Sequence, residues 1–413
     1  MLSLKTSNGV RALGPRIVIL VGTMLAAAPD ARAASIEYLG ENPHSGLSLA
    51  VVVEGYALAH TAQLLPLDSS GQLVGEGSVE AQLAQSLFNL ETALAAAASG
   101  TEHLVKINLY VDGPKTAASA KAMLAKRFPA PVRPALSCVA TPLAHPKAIL
   151  ALDAVAVVPG EGPKAVVRHS AKALARFGEA ACVAVLPRGD AVYVSGQPEK
   201  GDLAAATAKS LQGLLGTIRH LGLDSSHVVH LRAFVRSIQD TDVLRQQVAK
   251  AFAGQPLPPL TLVEWTSPAP IEIELIAFAP PQRTPPASRD TVSYFTPPGV
   301  EPSPLFSRAA RVHGGKTIYI SGLYAEEPGS GEAQVRGLFR SLQGALTLTG
   351  GDMRHLVKAT YYCTDDDSSQ VLNKLRPEFY DPQRPPAASK AMVKALALPD
   401  RSITLDMIAG TAR

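Results

Sequence analysis

The sequence predicts an α+β chain made of three tandem copies of one unit. A short β-branched and aromatic run ending in a small-residue pair occurs three times, as "YALAHTAQ" (56–63), "AVYVSGQ" (191–197) and "TIYISGL" (317–323). Each run is followed by an apolar stripe at helical spacing, then by a second strand pattern opening on histidine. Self-similarity at a fixed period marks a repeat architecture. Strands alternating with amphipathic helices place those helices on one sheet face.

Each element follows from its pattern. The opening run reads as a strand entering a tight turn, within a hairpin. The first helices carry Val79, Leu83, Leu87, Leu90 and Leu94 in copy one, then Leu203, Leu211, Leu214, Ile218 and Leu221 in copy two. Copy three has Val335, Phe339, Leu342 and Leu346. Such a stripe covers a sheet. The strands "HLVKINLYV" (103–111), "HVVHLRAFV" (227–235) and "HLVKATYYC" (355–363) come next. Their first residues, His103, His227 and His355, read either as polar corner residues or as a metal set, and the absence of a recurring acid or thiolate beside them favours the corner. Second helices end near Phe128, Phe252 and Phe379, and strands at 148–157, 271–279 and 402–410 close the copies. Linkers are expected at 159–175 and 280–304, both rich in Pro and Gly.

The first 33 residues stand apart. Lys5, Arg11 and Arg16 precede the apolar run "IVILVGTMLAAA" and an "ARA" at 31–33, the order of a secretory leader. The run is shorter than the roughly 20 residues that span a bilayer. The expected mature chain is periplasmic or secreted, with no membrane attachment after cleavage. Removing 1–33 takes away four of 39 basic and one of 35 acidic residues, leaving 35 against 34. That balance lacks the basic excess of a nucleic-acid partner. Cys138, Cys182 and Cys363 fit neither a disulfide framework nor a zinc pattern. No cofactor and no metal are expected, and no G-x-S-x-G, P-loop, H-E-x-x-H or G-x-G-x-x-G motif occurs.

With "VYVSGQ", "VVHLRAFV" and "IEIELIAFA" aligned, copy two resembles the RidA family (reactive intermediate deaminases, also YjgF or endoribonuclease L-PSP). Copy three resembles it through "IYISG", "LVKATYYC" and "RPPAASKAMVKALALP", and copy one, the most diverged, through "TAQLLPLDSSGQLVG" and "LVKINLYV". The resemblance implies chorismate-mutase-like domains at 34–160, 161–282 and 283–413. It further implies an intramolecular pseudo-trimer, sheets inside and helices outside, with clefts between neighbours. Linking the copies raises their effective concentration; the alternative is three beads that trimerise between chains.

The family reaction is hydrolysis of 2-imino acids to keto acids and ammonia. It uses an arginine that grips the carboxylate and a glutamate that places water. Counting back from Leu398–Pro399 puts Lys390 at the arginine position, with Leu136 and Leu260 in the other copies. The glutamate is Glu272 in copy two, against Ala151 and Thr404. By the same resemblance Ser195, Gly196, Ser321 and Gly322 line clefts, with Thr61–Ala62 as the weakened pair in copy one, and Cys138 and Asn373 match cleft positions. No copy holds the full set. Lys390 reads as an anion-binding point charge, as a solvated surface lysine or, only with a depressed pKa, as a Schiff-base former. The expected function is a degenerate member that binds a small carboxylate-bearing molecule or scaffolds a partner at inter-domain clefts. The alternative is an imine deaminase with one residual site, Lys390 with Glu272.

Overall fold

The computed structural model describes residues 34–177, 180–281 and 290–412. The expected leader (1–33) and part of the second expected linker (282–289) lie outside them. The N-terminal third contains β1 (Ser35–Glu41), β2 (Ser48–Glu54), β3 (Ala57–Thr61), α1 (Val79–Ala96), β4 (Leu104–Val111), α2 (Pro114–Arg127), β5 (Ala135–Ala140) and β6 (Leu150–Val158). The middle contains β7 (Val167–His169), β8 (Val183–Leu186), β9 (Asp190–Glu199), α3 (Leu203–Arg219), β10 (Val228–Val235), α4 (Thr241–Ala251), β11 (Leu260–Glu264) and β12 (Ile271–Ala279). The C-terminal third contains β13 (Val292–Phe295), β14 (Ala309–Val312), β15 (Thr317–Ile320), α5 (Gly331–Thr349), β16 (Gly351–Cys363), α6 (Asp366–Phe379), β17 (Ala387–Met392), β18 (Ala395–Leu396) and β19 (Ile403–Thr411). Thus β7 and β13 occupy stretches expected to be linkers. They are three and four residues long and partly exposed, too short to print an alternating pattern.

The long helices start where the sequence supplies a cap. Ser78, Asp202 and Ser330 accept from the amides of Ala81, Ala205 and Ala333 at 3.2, 3.0 and 3.3 Å, satisfying donors that a helix start leaves open. Their apolar faces build three separate cores. Leu83, Leu90 and Leu94 pack with β3, β4 and β6; Leu211, Leu214 and Ile218 with β9, β10 and β12; Val335, Phe339 and Leu342 with β15, β16 and β19.

Strand pairing departs from the expected hairpins. The strands on either side of the Gly55–Tyr56 turn, β2 and β3, do not pair with each other. Instead β3 pairs with β8, β9 with β14, and β15 with β2, all antiparallel. Three six-stranded blocks result, ordered β5-β4-β6-β3-β8-β7, β11-β10-β12-β9-β14-β13 and β17-β16-β19-β15-β2-β1. The first and third are joined into one 13-stranded sheet by a single β2–β5 pair, Ser48 opposite Ala135, with β18 added on β5. The first two blocks borrow the hairpin that follows them in the chain, and the third borrows the hairpin at the chain's beginning. At each handover the backbone turns through a left-handed glycine: Gly55 (φ 74°), Gly189 (φ 149°) and Gly314 (φ 65°), a conformation side chains resist. The alternation of residues cannot reveal which sheet a strand joins, because either partner buries the same face.

The helix-free faces share two apolar clusters. One draws Val51, Val105, Tyr193, Val229 and Val357 from all three blocks. The other is built on Tyr110, Phe234 and Tyr362, at matching positions of β4, β10 and β16. Between them the inward residues are Lys106 and Asn108, His230 and Arg232, Lys358 and Thr360, around a cavity of about 60 Å³.

Because β2 covers the edge of β15, with Val52 opposite Ile318 and Val53 opposite Thr317, a chain lacking residues 34–54 should lose protection there first. Hydrogen exchange should quicken more than tenfold in β15 and α5 while α3 changes little. Equal protection of α5 with and without the hairpin would contradict this closure.

Candidate functional site

The places where one block's strand meets the next block's sheet are built by backbone and small side chains. Ser195 is fully buried; its hydroxyl donates to the Ser307 carbonyl at 2.6 Å and accepts from the Ala388 amide at 2.7 Å. Ser321 does the same with the Ser48 carbonyl and the Leu136 amide, both at 2.7 Å. Each hydroxyl therefore ties three strands together and has no hydrogen left for a ligand. In the remaining seam the equivalent residues are Ala62 and Gln63, one position beyond the expected Thr61–Ala62. The Ala62 amide donates to Cys182 and the Gln63 amide to Leu260, as Ser195 does to Arg308 and Gly322 to Leu136. Gln63 Nε2 replaces the missing hydroxyl by donating to the Leu262 carbonyl at 3.0 Å.

Among the described residues, the seam between the second and third blocks is where an acid and a cation from the expected set come within electrostatic reach of each other. Glu272 on β12 lies over Gly196: a Cβ built on that glycine would fall inside the Glu272 carboxyl group. The Gly196 amide donates to Ser389 Oγ at 3.2 Å, and Ser389 donates to the Glu274 carboxylate. Glu274 is also paired with Lys358 at 2.6 Å and Arg232 at 3.4 Å. Burial raises the Glu272 pKa to about 8, with the neighbouring Glu274 charge adding to the rise. Glu272 is therefore chiefly a neutral acid at pH 7, a donor rather than a base that activates water. Lys390 lies within electrostatic reach of it. Burial lowers the Lys390 pKa, and its ammonium donates to Ser369 Oγ at 2.7 Å, the Ser369 carbonyl at 3.2 Å and Asn373 Oδ1 at 3.4 Å.

The strand registers correct the counting that aligned Lys390 with Leu136 and Leu260. Lys390 pairs opposite Tyr361 on β16, as Cys138 pairs opposite Leu109 on β4 and Leu262 opposite Ala233 on β10. Ala388 occupies the place of Leu136 and Leu260, so the position assigned to the arginine is apolar in all three copies. The loop behind β17 has its own length, ten residues between Met392 and Ile403 against nine between Ala140 and Leu150 and six between Glu264 and Ile271, and counting from Pro399 absorbed that difference. The side chain of Lys390 accordingly points to α6 on the helix-covered face. Cys138 is buried, and burial pushes its thiol to about 12, which keeps it protonated. Ser321, Gly322 and Cys138 belong to the seam between the third and first blocks, where Thr404 holds the Glu272 position.

Sequence reasoning missed Arg376. It stands four residues before the end cap of its helix, Tyr380, where α2 has Leu124 before Phe128 and α4 has Val248 before Phe252. Its guanidinium donates to Asn373 Oδ1 at 2.5 Å and lies 5.3 Å over the Tyr361 ring, and its Nε has no partner among the described residues. A cation in place of a core leucine is the signal that could have marked it. The three opening histidines stay apart at their corners: His103 beside Glu102 (3.5 Å), His227 on Asp224 (2.9 Å) and His355 on Asp352 (2.7 Å).

With this geometry in hand, the comparisons identify the family. The Endoribonuclease L-PSP family model matches residues 43–158 and 300–411, more than half of the chain, and the chain belongs to this family, the RidA family. It is 32% identical over 111 residues to the RutC family protein slr0709 of Synechocystis sp., covering 27% of this chain and 84% of that protein. Among solved structures it is similar to the Rid-family protein YyfB of Yersinia pestis, with 25% identity, coverage of 29% and 98%, and a TM-score of 0.27. It is also similar to NMB1025 of Neisseria meningitidis, a YjgF-family member, with 20% identity, coverage of 30% and 99%, and a TM-score of 0.23. Each relative spans about a third of this chain.

The raised Glu272 pKa sets a pH dependence. The folded state holds a proton that the unfolded chain releases near the ordinary value of 4.5, so stability falls as pH rises from about 4.5 through 8. Glu272→Gln mimics the neutral acid. We expect the unfolding free energy of the variant, relative to wild type, to grow by several kcal/mol between pH 5 and pH 8.5. Parallel pH profiles in urea unfolding would show that Glu272 is not held protonated.

Proposed function

We propose that the chain is a RidA-family binding protein whose three diverged copies close into one intramolecular pseudo-trimer, and that its Glu272–Lys390 seam takes a small carboxylate without turning it over. The shared central clusters, the borrowed hairpins and the serine contacts across the seams support the three-copy arrangement. The leader-like segment at 1–33 supports a site of action outside the cytoplasm.

The observation that carries the binding reading is a neutral Glu272 within electrostatic reach of Lys390, a cation whose hydrogen bonds among the described residues go only to neutral oxygens. Ser369 and Asn373 are partners an anion can outcompete, since a charge-assisted hydrogen bond is roughly twice as strong as a neutral one. Hydrolysis is disfavoured by the apolar residues Leu136, Leu260 and Ala388, and by a glutamate that holds its proton at pH 7. One feature favours residual imine hydrolysis as the second reading: a pKa of about 8 also suits a general acid.

Thermal unfolding with millimolar pyruvate or 2-oxobutanoate separates these readings. Wild type should be stabilised by roughly 2–4 °C at saturation, Lys390→Ala should not respond, and release of ammonia from a freshly generated 2-imino acid should stay at background. Equal shifts in both proteins would remove the ligand from this seam. Ammonia release that disappears in Lys390→Ala and Glu272→Gln would establish the enzyme instead.

A further inference from the structure

A larger cavity lies on the other side of Gly196. It measures about 520 Å³, within the range of small-molecule sites, and opens between α3 and the segment leading into β14. Its walls include Gln197, Glu199, His220, Pro297, Phe306 and Arg308. One helix position distinguishes the second block here. Counted from the helix caps Ser78, Asp202 and Ser330, Gly213 on α3 stands where α1 has Asn89 and α5 has Ser341. Asn89 donates to the Leu65 and Leu67 carbonyls and Ser341 to the Tyr324 carbonyl, drawing the chain after the first strand onto the helix. Gly213 cannot make that bond; on α3 the tie comes one turn earlier, where Ser210 donates to the Gln197 carbonyl at 2.7 Å, and Gln197 Nε2 donates to Thr217 Oγ1 at 3.2 Å. A Cβ there would instead fall on Gln197 Oε1, and Gly216, one turn on, faces open space.

Two charges border this space. Arg308 occupies the place of Leu49 and Cys182, as the amide–carbonyl bonds to Ser195, Ser321 and Ala62 show. Its guanidinium lies 5.4 Å from the Phe306 ring and forms no ion pair among the described residues. Glu199, on the same wall, forms none either, and the two are too far apart to bridge each other. A cation and a carboxylate left unpaired around one cavity complement a ligand carrying both charges. Phe306, Pro297, Pro298 and Val300 supply an apolar wall.

We propose that this cavity binds a free α-amino acid with an apolar side chain, its carboxylate on Arg308 and its ammonium toward Glu199. The site adjoins the Glu272–Lys390 seam and shares Gly196 with it, but neither Glu272 nor Lys390 lines it. Titration calorimetry on the full mature chain tests it with L-phenylalanine, 3-phenylpropanoate (no ammonium) and 2-phenylethylamine (no carboxylate). L-phenylalanine should bind at least tenfold more tightly than either analogue. Arg308→Ala should abolish the advantage over the amine, and Glu199→Gln the advantage over the acid, while Lys390→Ala leaves all three affinities unchanged. Retained binding of the surviving analogue serves as the check that each variant is folded. Absence of L-phenylalanine binding at millimolar concentration, equal affinity for the acid and the amino acid, or loss of binding only in Lys390→Ala would each overturn the assignment.

Discussion

The structure depends on three strands crossing from one block to the next. At each crossing a glycine in the left-handed region redirects the chain, and the strand that follows finds its antiparallel partner in another hairpin. Main-chain hydrogen bonds fix this exchange, and two buried serine hydroxyls reinforce it by bonding a carbonyl of one strand and an amide of another. A buried hydroxyl that loses either partner leaves a polar group unsatisfied, at about 1–3 kcal/mol. The blocks are thereby held in register, so every feature that spans a seam inherits its geometry from the handover.

The centre shows what that register must support. Lys106 with Asp406 at 2.9 Å, and Lys358 with Glu274 at 2.6 Å, are nearly free of water. Charges in such a place recover their desolvation cost only when the geometry is right and the remaining hydrogen bonds are made. Lys106 also meets Ser137 at 2.8 Å, and Asp153 accepts from Asn108, Tyr110 and Thr261. His60 and His230 face the same cavity, and burial holds both near a pKa of 3, with each ring kept neutral. A polar layer of this kind tolerates little slippage, which favours one arrangement of the blocks over its neighbours.

Most of the helices and strands were legible in the sequence because their apolar residues recur at 3.6 or at two, and because the pattern is written three times. The pairing of those strands was not, since β2 and β3 read as a hairpin whether or not they touch. Glu272, Ala151 and Thr404 do occupy equivalent places, opposite Phe234, Tyr110 and Tyr362, as they sit in long central strands without insertions. Lys390 was shifted by two because a loop of different length lay on the path of the count. Arg376 was hidden inside a helix whose other positions read as an ordinary amphipathic face. The space beside Gly213 depends on the absence of a side chain at that helix position, and no local pattern records that.

The most direct test of the strand exchange is a pair of cross-links. Val53 stands opposite Thr317 in this structure, whereas a simple hairpin around the Gly55–Tyr56 turn would set Val53 opposite Leu58. In oxidised protein carrying Val53→Cys with Thr317→Cys, a disulfide within a single chain should form readily, and Val53→Cys with Leu58→Cys should stay reduced. Formation of the second bond and not the first, or bonds only between separate chains, would contradict the closure on which the seams rest.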